Sequence, residues 1–183
     1  MDMAVEDEAL AKLSANGDRE AFARLVERHY DRIFRIAYHL VGTRPEAEDL
    51  AQEVCVALPG KLKGFRGDSR FTTWLYSVVV NAGRDALRRR KASARAIEVF
   101  GEVSVLRAAG HAARGAEVDW LYEALDALGP DLRETAILVL SEELSHAEAG
   151  KALGVKESTV SWRMHEVRRR LKSLAREGEG APL

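Results

Sequence analysis

Apolar residues recur at helical spacing along almost the whole chain, and no alternating run is long enough to predict a strand. Glu6 to Ala15 reads as a short amphipathic helix stopped by Asn16-Gly17. Asp18 is placed to cap a long helix with the stripe Phe22, Leu25, Val26, His29, Ile33, Phe34, Ile36, Ala37 and Leu40, ended by Gly42. His29 lies on that stripe and is expected as a packed side chain, not a ligand. Thr43-Arg44-Pro45-Glu46 predicts a capping box with proline in the first turn of a third helix. Leu50, Val54, Ala57 and Leu58 then face inward, Glu48, Asp49, Gln52 and Glu53 face out, and Pro59-Gly60 is expected to end the helix.

The next helix carries the most unusual pattern. Phe71, Leu75, Val78, Val79, Ala82 and Ala86 make its apolar stripe, and Thr73, Ser77, Val80, Asn81, Arg84 and Arg88 lie opposite. Trp74 and Tyr76 stand on the shoulders, and the helix ends in Arg88-Arg89-Arg90-Lys91. Aromatic and amide groups beside a graded positive charge suit unpaired bases and their phosphates. The plainer alternative is a core helix with a solvated basic end.

After Lys91 the pattern weakens, with Gly101 and Gly110 as breaks, and residues 92–117 read as a flexible linker. Periodicity resumes near Val118. Trp120, Leu121, Ala124, Leu125 and Leu128 predict a helix closed by Gly129-Pro130, and Asp131 is placed to cap the next, with Leu132, Ala136, Ile137 and Leu140 inward. Ser145-His146-Ala147-Glu148 predicts a capping box, Leu153-Gly154-Val155 a turn, and Ser158 the cap of a last helix lined by Val160, Met164, Val167, Leu171 and Leu174. The expected fold is therefore all-α. Two small helical domains, 1–91 and 118–176, are joined by the 92–117 linker and followed by a tail at 177–183.

Charge changes this picture more than composition does. The 183 residues carry a formal net charge of −1, which hides a strong segregation. Residues 61–95 hold ten Lys/Arg against two Asp/Glu, and residues 154–183 hold seven against four, while the two stretches preceding them are acidic. Two basic blocks separated by acidic ones point to two nucleic-acid contacts on a protein that also meets something else. No apolar run approaches a membrane span and the N-terminus is acidic, so a cytoplasmic chain without membrane insertion is expected. The single cysteine, Cys55, excludes an internal disulfide, and the five histidines show no metal-ligand spacing. No glycine-rich phosphate loop or nucleophile elbow is present, so neither a metal nor a cofactor nor catalysis is expected.

A short helix, a glycine-bearing turn and a longer cationic helix are the parts of a helix-turn-helix. With the Val160–Leu174 stripe turned inward, Ser158, Trp162, His165, Arg169 and Lys172 lie on the outer face, flanked by Ser161 and Glu166. Ser161, Trp162, His165 and Glu166 are the base-edge candidates. Lys156, Thr159, Arg168, Arg169 and Lys172 are the phosphate candidates, and Arg163 could serve either a phosphate or an internal carboxylate.

Ala47-Glu48-Asp49-Leu50-Ala51-Gln52-Glu53-Val54, followed by Phe65-Arg66-Gly67-Asp68-Ser69-Arg70-Phe71-Thr72-Thr73-Trp74-Leu75-Tyr76, resembles the second conserved region of bacterial sigma factors of the extracytoplasmic-function (ECF) group. Leu144 to Gly150 and Gly154 to His165 resemble their fourth region. The resemblance implies a factor that joins core RNA polymerase, recognises and melts promoter DNA, and starts transcription. By position it implies that Asp49, Gln52 and Glu53 dock on the clamp helices of the largest polymerase subunit. It puts Trp74, Tyr76, Asn81, Arg84, Arg88, Arg89, Arg90 and Lys91 on the melted −10 element. It puts Lys156, Ser158, Thr159, Ser161, Trp162, Arg163, His165, Glu166, Arg169 and Lys172 on the −35 duplex. It also implies an anti-sigma factor as a partner. Trp162 and Glu166 depart from the family, which commonly carries a small and a basic residue there. The competing expectation from another class is a helix-turn-helix regulator that binds duplex DNA without joining polymerase.

Overall fold

A computed structural model describes residues 3–99, 124–125 and 127–179, and every regular element among them is a helix. The chain divides into two units, 1–110 and 111–183. The expected linker lies outside the described residues from position 100 onward, as do Trp120, Leu121 and tail residues 180–183. The last helices run further than the pattern predicts. One continues past Lys91 to Val99, and the other enters the expected tail as far as Glu179.

The first unit is built from α1 (Met3–Ala15), α2 (Arg19–Val41), α3 (Arg44–Leu62) and α4 (Phe71–Val99). Asp18 caps α2 as its residue type suggests, its carboxylate accepting the backbone N–H of Glu20 and Ala21 at 3.0 Å each. Gly42 ends α2 in the left-handed region at φ 86°, where a side chain is disfavoured. Two expectations for α3 fail. The Thr43 hydroxyl donates to the Glu46 carboxylate at 2.8 Å instead of accepting a backbone N–H, so no capping box forms. Pro59 does not stop the helix, which runs on to Leu62. Losing one backbone donor is tolerated there because Leu58 and Leu62 on either side are each 1% exposed and anchor the turn.

The core holds Leu25, Ile33, Ile36, Leu40, Leu50, Val54, Leu58, Phe71, Leu75 and Val79. At Gly83 of α4 a Cβ would lie 2.7 Å from Leu40 Cδ1, so α2 and α4 approach closely there. One buried polar cluster interrupts the apolar packing. Asp7 of α1 meets Arg28 at 2.6 Å and His29 Nε2 at 2.9 Å, while Arg32 meets His29 Nδ1 at 3.1 Å. His29 is packed, as its place on the stripe predicts, with its ring 5.2 Å from that of Phe71.

The second unit holds α5 (Pro130–Ala136), α6 (His146–Leu153) and α7 (Glu157–Glu179). Gly129, and not Asp131, is the cap residue of α5, with Pro130 in the first turn. The helix then widens into a π-helical turn over Ile137–Ser141, in which Glu142 N–H reaches Ile137 C=O at 3.2 Å. Five-residue spacing shifts the phase of the 3.6-residue stripe, so Leu140 turns out to 57% exposure while Leu138 is fully buried. Leu125, Leu128, Leu132, Ala136 and Val167 form one apolar cluster, joined by Leu171.

Candidate nucleic-acid interface

In the first unit the face of α4 is set by what covers the rest of it. The helix packs against α1, α2 and α3, so more of its circumference is buried than the stripe alone predicts. Thr73, Tyr76 and Val80, three and four residues apart, form a second buried strip at 4%, 4% and 2% exposure. The expected place of Thr73 and Val80 on the open face, and of Tyr76 on an open shoulder, is corrected accordingly. What stays open or half-open is the strip Trp74, Ser77, Asn81, Arg84 and Arg88, which are again three and four residues apart.

Trp74 is half-buried, held by Phe65 at 5.3 Å and Phe71 at 5.7 Å between ring centroids. Phe65 meets Phe71 edge-on at 5.8 Å. Phe65, in the loop ahead of α4, opens the second stretch that carries the family resemblance but has no site role in the pattern. A lone aromatic among Lys, Arg and Gly was the available signal. Further along, Arg84 bonds the Asn81 amide oxygen at 3.3 Å and Arg88 pairs with Asp85. Arg89 and Arg90 turn back to α3. Arg89 grips both carboxylate oxygens of Glu53, at 2.7 and 3.1 Å, and Arg90 meets Glu46 at 3.0 Å. The Glu53 carboxylate holds the Arg89 guanidinium above its ordinary pKa. Lys91 is exposed.

On α3 the residues Asp49, Gln52 and Glu53 are exposed on one face, as the pattern predicts, and Val56 follows them at 82% exposure. Cys55 is half-buried, and burial pushes its thiol pKa up, away from the reactive thiolate.

In the second unit Ser145 caps α6 in the predicted capping box. Its hydroxyl accepts the Glu148 N–H at 3.3 Å, while the Glu148 carboxylate accepts the Ser145 N–H at 3.0 Å. Gly154 closes α6 at φ 69°, and the tight turn also needs Gly150, where a Cβ would lie 2.8 Å from the Val155 carbonyl oxygen. α7 starts at Glu157, so Ser158 sits inside its first turn instead of capping it. Val160, Met164 and Val167 are fully buried, which leaves Ser158, Ser161, Trp162, His165, Arg168, Arg169 and Lys172 exposed. Lys156 is exposed in the turn and Thr159 half-buried. The Ser161 hydroxyl bonds His146 Nδ1 at 2.9 Å, tying the two helices of the motif together.

Two of the expected contacts have other uses. Arg163 is 11% exposed and meets Asp131 at 2.8 Å, so of its two alternatives it takes the internal carboxylate. Glu166 is 13% exposed and clamped by Arg169 at 2.7 and 2.8 Å and by Arg170 at 2.7 Å. Those two guanidinium groups hold its carboxyl pKa down to about 2. Both of its oxygens are engaged by arginines of its own helix. Arg170, absent from the sequence-based candidates, also donates to the Leu128 carbonyl at 3.3 Å.

Comparison with known proteins places both units. The profile of Sigma-70 region 2 matches residues 25–93 and that of Sigma-70 region 4 matches residues 124–173, which defines the class as a two-region sigma factor. The ECF RNA polymerase sigma factor SigE of Mycolicibacterium smegmatis is 34% identical over 91% of this chain and 67% of that protein. SigM of Mycobacterium tuberculosis is 32% identical over 92% of this chain and 84% of its own length. SigW of Bacillus subtilis is 29% identical over 88% and 92%. Among solved structures, CnrH in complex with the cytosolic domain of CnrY superposes with a TM-score of 0.71 at 26% identity, covering 94% of this chain and 98% of that one. The sigma factor RpoE of Bartonella quintana, solved with the anti-sigma factor NepR, shares the fold at a TM-score of 0.67 and 23% identity, covering 85% and 96%. The chain belongs to the ECF RNA polymerase sigma factors.

Proposed function

We propose that the protein joins core RNA polymerase in the cytoplasm and directs it to promoters, working by stoichiometric binding with no chemistry of its own. Asp49, Gln52 and Glu53 offer an acidic, exposed face of α3 to the clamp helices of the largest subunit. Trp74, Asn81, Arg84 and Arg88 offer the −10 strand a ring, an amide and two cations on one strip of α4; exposed Lys91 adds a cation, and Arg89 and Arg90 add theirs when they leave Glu53 and Glu46. Tyr76 supports that strip from inside. On α7, Ser161, Trp162 and His165 face the −35 bases, while Lys156, Ser158, Thr159, Arg168, Arg169 and Lys172 surround the phosphates. Arg163 and Glu166 hold this helix and its cations in position. An anti-sigma factor is proposed as the regulatory partner, because CnrH and RpoE are each solved with a second protein, named as an anti-sigma factor for RpoE.

The observation that carries this reading is the pairing of a half-stacked tryptophan and an aligned cationic strip in one unit with a helix-turn-helix in the other. A duplex-only regulator needs the second and leaves the first without a use. The test separates the two surfaces of the first unit. Arg84→Ala with Arg88→Ala is expected to reduce open-complex formation while core binding persists. Gln52→Ala with Glu53→Ala is expected to reduce core binding. If the arginine pair instead removes core binding, the assignment of α4 to DNA is wrong.

A further inference from the structure

The acidic face of α3 and the basic end of α4 are joined. Arg89 lays both terminal nitrogens of its guanidinium on the two oxygens of Glu53, at 3.1 and 2.7 Å, across 36 residues of sequence. Arg90 contacts Glu46 through one terminal nitrogen only, at 3.0 Å to one oxygen and 3.1 Å to the other. Both pairs line a groove between the helices together with Leu50 and Leu87. The planar fork of an arginine matches a carboxylate in a way a lysine cannot. A carboxylate gripped like this has fewer lone pairs and less net charge to offer another cation, and the arginine offers less charge to a phosphate while it is held.

We propose that Arg89 masks Glu53 in the free chain, so that polymerase docking on Glu53 hands Arg89 to the −10 strand and the two bindings reinforce each other. This rests on the sigma-factor reading above. By linkage the effect is reciprocal: DNA that draws Arg89 away exposes Glu53 to polymerase. Both partners are about half exposed, at 60% and 47%, so the contact is a modest competitor and not a lock. Exposed pairs of this kind correspond to roughly two- to fivefold in an equilibrium constant.

The test is the affinity of the full-length chain for a bacterial core RNA polymerase, measured at fixed salt by fluorescence anisotropy. Arg89→Ala is expected to tighten binding about two- to fivefold. Arg89→Lys, which keeps the charge but loses the fork, is expected to tighten it by a smaller factor. Lys91→Ala removes one charge without touching α3 and serves as the charge-matched comparison. In a Glu53→Gln background, Arg89→Ala is expected to add nothing. The proposal is overturned if Arg89→Ala matches Lys91→Ala, weakens binding, or still tightens it without Glu53. A wild-type chain that fails to bind core at all overturns the sigma-factor reading, and this proposal with it.

Discussion

His29 shows how a single buried group can set a pH limit on the fold. Arg32 donates to Nδ1, which therefore carries a lone pair, and the Nε2 hydrogen donates to Asp7. The ring so held is neutral. Burial is the largest cause lowering its pKa below the ordinary histidine value, and it outweighs the attraction of Asp7, with Arg32 and Arg28 adding to the lowering. The sign follows from linkage. As pH falls, the unfolded chain binds the proton first, near about 6.5, and the fold loses stability until its own lower pKa is reached. Urea midpoints at pH 7.5 and 5.5 are expected to differ more in the wild type than in His29→Gln. An equal difference in both would mean the ring does not carry the effect. The packed role of His29 was legible from its place on the stripe. Its partners were not, because Asp7 lies 22 residues away and helical periodicity says nothing about which side chains meet across helices.

At the scale of elements, faces were legible wherever one helix followed a regular period and had one covered side. The buried α7 positions Val160, Met164 and Val167 were legible for that reason, while of two sequence-adjacent capping boxes the one at Ser145 forms and the one at Thr43 does not. Errors came where another constraint took over. Three covering helices bury Tyr76 and Val80, a π-helical turn rotates Leu140 outward, and anchoring leucines carry α3 through Pro59. Glu166, a base-edge candidate from the pattern, is held by two arginines of its own helix, which the period does not reveal. That gives α7 a sharp expectation. His165→Ala should alter preference at particular base pairs by about 1–3 kcal/mol. Glu166→Gln should instead release Arg169 and Arg170, raise affinity for duplexes of every sequence and steepen its salt dependence. Competition binding across a randomised −35 duplex distinguishes them, and a position-specific change from Glu166→Gln would show it to be a reader.

At the scale of the whole molecule, a formal charge of −1 results from basic and acidic blocks that the chain keeps apart. Two helical units were legible because the apolar period fades after Lys91 and resumes near Val118. What no period could reveal is that the basic end of α4 folds onto the acidic face of α3, a contact made between residues 36 and 44 apart. The central claim is that these units together give polymerase a promoter. Its most direct measurement is transcription in vitro, with bacterial core polymerase, the purified chain and genomic fragments as template, followed by mapping of the RNA 5′ ends. The account predicts discrete starts that appear only when the chain is added and that share sequence in two blocks upstream. Core polymerase that initiates no differently with the chain than without it would contradict the account.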